Sequence, residues 1–239
     1  MIGSMVRASS WLCAACLVVV AVHASAAEPG APDNPPLPPS RRVELGFDTG
    51  LARRPASGSD ISYATGVLWG AHIGLPLASW LAFRATAAQG AAPVTLRSGA
   101  LGLADTEVSQ PDLSVLLVSA RLEPTWTVSS VVRLWAGPEV SWIRTTADEP
   151  TTRGALVIRT AVRHAVGLEL GGSVGGSLEL IPNWLVLTMS SGAFSVLDQD
   201  GSLYDRVQGF DQNGHRLEVG RYPKFAGSFR SMLGFGVIL

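Results

Sequence analysis

Past residue 26 the imidazoles of this chain are His72, His164 and His215. A nucleophilic site would need one of them between a serine and a carboxylate, and the sequence keeps them apart. His72 falls in a segment that alternates apolar and polar residues and has the parity of the polar side. His164 has the parity of the apolar side of another such segment, and His215 lies in a long polar connection. No serine accompanies them in a hydrolase arrangement, so each is read as structural or solvated. Cys13 and Cys16 both lie in an N-terminal apolar run. Once that run is removed, no thiol remains for a disulfide, a metal or a nucleophile.

A polar cluster near the C-terminus is an approximate repeat, Asp198-Gln199-Asp200-Gly201-Ser202-Leu203-Tyr204-Asp205 followed by Asp211-Gln212-Asn213-Gly214-His215-Arg216-Leu217-Glu218. Clustered carboxylates suggest calcium, but an EF-hand loop places its glycine sixth and here it comes fourth in each copy. Asp-Gly and Asn-Gly instead favour hairpin turns, whose central residues need positive φ. The repeat is therefore read as turns, with Phe194, Val196, Tyr204, Val207, Leu217 and Val219 as flanking strand residues. No catalytic, cofactor-binding or metal-ligating residue is assigned, and no enzyme activity is expected.

The elements that position the other ionisable groups follow from the rest of the chain. Met1 to Ser10 carries one cation, Arg7, then come an apolar run from Trp11 to Val22 and Ala24-Ser25-Ala26. This predicts a secretory signal peptide over residues 1–26, because the run of 12 residues is shorter than the roughly 20 a spanning helix needs. Residues 27–40 hold the segment PGAPDNPPLPPS and form an extended proline-rich linker. Residues 41–239 suit a single domain. Loss of Arg7 leaves 17 of the 18 basic residues against 19 acidic ones, a formal charge of −2, which does not favour nucleic acid as a partner. Only 15% of residues are charged and mean hydropathy is +0.28, yet no later apolar segment approaches helix-spanning length. A transmembrane barrel reconciles these facts, because alternate residues face lipid.

The alternation is explicit. Val43, Leu45, Phe47, Thr49 and Leu51 oppose Glu44, Gly46, Asp48, Gly50 and Ala52, and Ile61 to Leu75 continues the period. In Trp126 to Trp142, Val128, Val132, Leu134, Val140 and Trp142 oppose Arg133, Glu139 and Ser141. In Leu156 to Leu180, Ile158, Val166, Leu168, Leu170, Val174 and Leu178 oppose Arg159, Arg163, Glu169 and Glu179. The final segment sets Phe225, Phe229, Leu233, Phe235, Val237 and Leu239 against Lys224, Ser228 and Arg230. Trp80 to Ala88 and Trp184 to Ser195 are weaker cases, and Leu113 to Leu122 is apolar on both faces.

Connections alternate in length. Pro76 to Ser79, Glu123 to Thr125 and Ile181 to Asn183 are short and contain proline, whereas Gly90 to Asp112, Thr145 to Gly154 and Leu197 to Tyr222 are long. The predicted class is all-β: an antiparallel up-and-down transmembrane barrel of about eight strands, with short periplasmic turns and long extracellular loops. Ten strands follow if the last loop or Leu96 to Val108 adds a spanning pair. Trp80, Trp126 and Trp184 each follow a short turn and predict an aromatic girdle at the periplasmic rim.

Signal peptide, amphipathic strands, alternating turns and loops and an apolar C-terminal strand together resemble the small outer-membrane barrels of the OmpA and OmpX kind. The resemblance spans residues 41–239, is architectural, and carries over no functional residue. That family commonly ends on an aromatic residue, and this chain ends on Leu239 with Phe235 and Phe229 upstream. It implies the outer membrane of a Gram-negative bacterium as the location, with membrane lipid, lipopolysaccharide and the insertion machinery as partners. An external partner bound through loop 197–222 fits the long exposed connection. A barrel of eight strands is just wide enough for side chains to fill. Glu44, Asp48, His72, Arg84, Arg133, Glu139, Arg159, Arg163, Glu169, Glu179 and Arg230 have inward parity and are predicted to form a plugging ion-pair network. The expected role is structural or surface-interacting. The alternatives are a small pore, a membrane-embedded lipid or lipid A hydrolase, and a soluble periplasmic barrel that binds an apolar ligand.

Overall fold

A computed structural model describes residues 43–55, 61–96, 108–109, 112–147, 151–153, 156–219 and 221–239. The predicted signal peptide and proline-rich linker lie outside them. Eight strands close into one barrel: β1 (Glu44–Arg53), β2 (Gly66–Ala78), β3 (Leu81–Ala92), β4 (Leu113–Thr127), β5 (Val132–Ala147), β6 (Arg163–Ile181), β7 (Leu185–Asp200) and β8 (Gly227–Ile238). Each pairs antiparallel with its neighbours in sequence, and β1 closes the ring on β8, with Glu44 opposite Ile238 and Arg53 opposite Phe229. Closure removes the unpaired strand edges that an open sheet would leave. Among the described residues loop 197–222 adds no spanning pair, and the stretch between Leu96 and Val108 lies outside them.

The period of two becomes two surfaces. Leu45, Phe47, Trp69, Ile73, Val118, Leu122, Val140, Trp142, Leu170, Val174, Phe229, Leu233 and Phe235 stand exposed on the outer wall. Some hydroxyls on this wall find partners within it, where hydrocarbon offers none. Ser191 and Ser231 face each other in register with hydroxyls 2.9 Å apart, and the Thr49 hydroxyl donates to the Leu68 carbonyl at 3.4 Å. The two-sided apolar segment resolves in the same way. Leu113, Val115 and Leu117 are buried inside, while Leu116, Val118 and Leu122 are exposed outside.

The short turns sit a little later than the sequence suggests. Residues 123–125 are not a turn but the end of β4, and the chain reverses at 128–131. There the Ser129 hydroxyl accepts from the amides of Val131 and Val132 at 3.4 and 3.1 Å. Pro124 is tolerated because the β4–β5 ladder is interrupted between the Arg121–Glu139 and Thr125–Trp135 pairs. Pro138 lies opposite the same gap, and neither proline has an N–H to offer. The first turn is Ser79–Trp80, with Pro76 inside β2 beside a register shift. The third is 182–184, with Asn183 at φ 58°, a left-handed conformation that asparagine adopts more readily than most residues.

At the other end the loops carry small sheets. Ile61–Tyr63 pairs with Val94–Leu96, Thr151–Arg153 with both Val108–Ser109 and Leu156–Ile158, and Val207–Phe210 with Arg216–Val219. The expected strand from Leu156 is therefore broken. Its first residues join a loop sheet and the barrel strand begins at Arg163. β6 has 19 residues, more than the roughly 9–11 that a crossing needs, so the chain before it is free to pair elsewhere. The final strand begins at Gly227. Phe225 is accordingly buried beneath the loops, not outward, and Lys224 is exposed. Tyr204 lies in a single turn of 3-10 helix, Ser202–Tyr204, not in a strand.

Candidate functional site

Inward parity brings most of the predicted ionisable residues into one continuous chain. His72 Nδ1 lies 2.9 Å from Asp48 Oδ2, and its Nε2 lies 2.9 Å from Glu44 Oε1. With both carboxylates ionised, both contacts are complete hydrogen bonds only when both ring nitrogens carry a proton. Arg84 grips Glu44 with two nitrogens at 3.2 and 3.1 Å and donates its Nε–H to Glu123 at 2.9 Å. Arg121 donates to Glu123 at 2.9 and 2.6 Å and reaches Glu139 at 3.4 Å. Arg230 then lies 3.5 Å from Glu139 and 3.7 Å from Glu169, and donates to the Ser141 hydroxyl at 2.7 Å. Ser228 donates to Glu169 at 2.7 Å.

Room for these groups comes from glycines on the inner face. A Cβ at Gly46 would meet the His72 ring, one at Gly234 the Asp48 carboxylate, and one at Gly236 the Glu44 carboxylate. Two aromatic rings cover the cations: Arg121 stacks 3.9 Å from the Trp135 ring centroid and Arg230 3.6 Å from that of Phe194.

Four predicted members stand apart from this chain. Arg133 and Glu179 form a separate pair at 2.6 Å near the short turns, with the second Glu179 oxygen accepting from the Asn183 amide at 3.2 Å. Arg163 is buried at the loop end and donates to the carbonyls of Leu203 at 2.8 Å and Asp205 at 3.1 Å. Arg159 is a correction. It is exposed in the connection before β6, where its backbone bridges to Phe210, so its side chain is not in the barrel interior. Sequence reading missed Arg121, Glu123 and Arg54. Arg54 is buried just beyond β1, donates to the Thr145 hydroxyl at 3.4 Å and lies 5.3 Å from the Phe225 ring centroid.

Above the charged half the interior turns apolar. Ala52, Leu68, Ala88, Leu113, Val115, Leu117, Ile143 and Ala165 project inward from the loop ends of the strands, and Tyr63, Leu203, Tyr222 and Phe225 close over them from the loops. Leu203 is 0% exposed. Tyr63 donates to the Pro223 carbonyl at 2.9 Å, and Tyr204 to Gln199 Oε1 at 2.8 Å. Burial pushes the Tyr222 phenol up to about 12 against the opposing pull of Arg163, so it stays protonated. Between the charged and apolar halves lies a cavity of about 40 Å³ bordered by Arg84, Arg121, Glu139, Ser173, Thr188 and Arg230. That is room for a few water molecules.

The predicted girdle residues gather at the short-turn end. Trp80 and Trp184 lie in turns and Trp126 at the end of β4, and they are 59%, 53% and 57% exposed. The last long loop carries the Asp-Gln-Asn-Gly turn. Asp211 Oδ1 accepts from the amides of Asn213 and His215, both at 2.8 Å, and Gly214 supplies φ 81°.

No protein-family model matches the sequence, and no curated protein does. Solved structures do. The crystal structure of Neisserial surface protein A superposes with a TM-score of 0.54 at 15% identity, covering 82% of this chain and 97% of that one. A major outer membrane protein from Thermus thermophilus gives 0.52 at 15% identity, covering 82% and 99%. The shared feature is the fold, the closed eight-stranded barrel of small outer-membrane proteins.

Proposed function

We propose that this chain is an outer-membrane barrel of a Gram-negative bacterium with a structural or surface-interaction role, and that it neither conducts nor catalyses. The observation that carries this reading is the chain of ion pairs from Asp48 to Glu169, which draws on seven of the eight strands. Such a chain fills the lower lumen with paired charge, and the apolar cluster seals the upper lumen. A pore of this width would need to break pairs whose separate members are costly to leave buried. Partner binding is assigned to the loop end, where Val207–Phe210 and Arg216–Val219 form a hairpin with Phe210 exposed. Long loops on a rigid scaffold are the usual place for recognition.

Planar-bilayer recording of the refolded chain tests the reading. No unitary current is expected from wild type. Discrete steps that vanish in Arg133→Gln or Glu139→Gln would overturn the sealed lumen. Mass analysis of lipid A from expressing and non-expressing cells is expected to show identical acylation, and loss of an acyl chain would establish a hydrolase.

A further inference from the structure

On the outer wall, the loop ends of β2 to β5 enclose an open groove of about 610 Å³. Its lining combines the small side chains of Ala91 and Ser114 with the larger ones of Trp69, Gln89, Leu116 and Arg144. Its one charged lining residue is Arg144, which is exposed and has no carboxylate partner among the described residues. Below Arg144 the outward residues of β5 are Trp142, Val140, Pro138, Ala136 and Leu134. The stretch from Leu134 to Arg144 rises about 25 Å at ~3.3 Å per residue and ~40° of tilt. That matches the usual height of the apolar band, so the guanidinium stands at its upper edge.

We infer that this groove binds the phosphate-bearing head of an acylated glycolipid of the outward-facing leaflet, a molecule of the lipid A class, with Arg144 holding the phosphate. The inference rests on the membrane reading given above. A cation at the rim of a hydrocarbon belt is stabilised by an anion at the same depth, and the planar guanidinium fork matches a phosphate bidentately. The Gln89 amide and the hydroxyls of Ser114 and Thr146 share the groove and suit the hydroxyls and amides of a sugar, which a simple phosphoglycerol head carries in smaller number. Four strands span roughly 14 Å at the usual strand spacing, wider than a single hydrocarbon chain. Below the groove the wall stays shallow, with Ala71 opposite Ala87 and Ala85 opposite Ala120. Several acyl chains can lie side by side there.

Native mass spectrometry of the full chain folded in maltoside micelles tests the assignment with three probes: lipid A, lipid A stripped of its phosphates, and phosphatidylglycerol. The variants are Arg144→Gln and, as a control on another outward cation, Arg53→Gln. Lipid A binding should fall about tenfold in Arg144→Gln, the scale of one charge-assisted contact, and stay unchanged in Arg53→Gln. Wild type should bind the stripped lipid as weakly as the Arg144 variant binds intact lipid A. Equal retention by both Arg144→Gln and wild type, equal loss in Arg53→Gln, or phosphatidylglycerol binding on a par with lipid A would overturn the assignment while leaving the barrel in place. Failure to obtain a heat-modifiable barrel in any amphiphile would instead overturn the membrane reading beneath it.

Discussion

Replacing Arg230 with methionine removes the link on which the upper end of the ion-pair chain depends. The side chain is 5% exposed and lies 3.5 Å from Glu139 and 3.7 Å from Glu169, which are 7% and 3% exposed. Glu139 keeps Arg121 at 3.4 Å. Glu169 keeps the Ser228 hydroxyl at 2.7 Å, but loses the guanidinium beside it. Breaking a buried pair from one side costs about 3–5 kcal/mol, whereas replacing both partners with neutral groups costs far less. Methionine also keeps an apolar stem against Phe194. Arg230→Met should therefore lose about 3 kcal/mol or more, and Arg230→Met with Glu169→Gln should recover at least ~1 kcal/mol of that loss. Urea titration of the barrel folded into phospholipid vesicles, followed by tryptophan emission and gel mobility, measures both. A loss under ~1 kcal/mol in the single variant, or strictly additive effects in the double, would refute the claim that Arg230 and Glu169 neutralise each other.

Val174 stands 58% exposed on β6, and Val174→Arg should cost about 2–4 kcal/mol in a bilayer; a change within about 0.5 kcal/mol, as on a watery surface, would show that lipid does not cover this wall. Leu203→Ala should cost about 2–4 kcal/mol, because Leu203 is 0% exposed within the apolar cluster, and hydrogen exchange should accelerate at the loop end while the charged half stays protected. Desolvation raises the Asp211 carboxyl, but the amides of His215 and Asn213 and the His215 ring together outweigh that and hold it below the ordinary range. A depressed carboxyl stabilises the turn above its unfolded value and loses that contribution as pH falls through the folded one. The amide shifts of Asn213 and His215 should therefore titrate below the usual carboxylate range, and a midpoint within or above it would contradict the geometry.

The fold was legible because the period of two survives in segments such as Val43 to Ala52, where one face is consistently apolar. Glu44, Asp48, His72, Arg84, Glu139, Glu169 and Arg230 could be placed inward by counting alone. Arg121 and Glu123 were hidden by the proline beside them. Pro124 suggests a turn, yet the two residues share parity with Leu113, Val115 and Leu117, and counting by twos through the apolar segment would have found them. Arg159 was misplaced for the opposite reason, since alternation continues through Leu156 to Leu180 and carries no mark of the break before Arg163. Phe225 has the parity of the outer wall but lies two residues before β8, where loop packing decides its direction. The cap formed by Leu203, Tyr222 and Phe225 had no local signal, because it depends on contacts between segments far apart in the chain.

Folding the urea-denatured chain of residues 27–239 with and without an amphiphile tests most directly whether lipid covers the apolar wall. Strand circular dichroism and a heat-modifiable gel band should appear only when micelles or vesicles are present, with aggregation in plain buffer. A folded, monodisperse monomer in plain buffer would contradict the account.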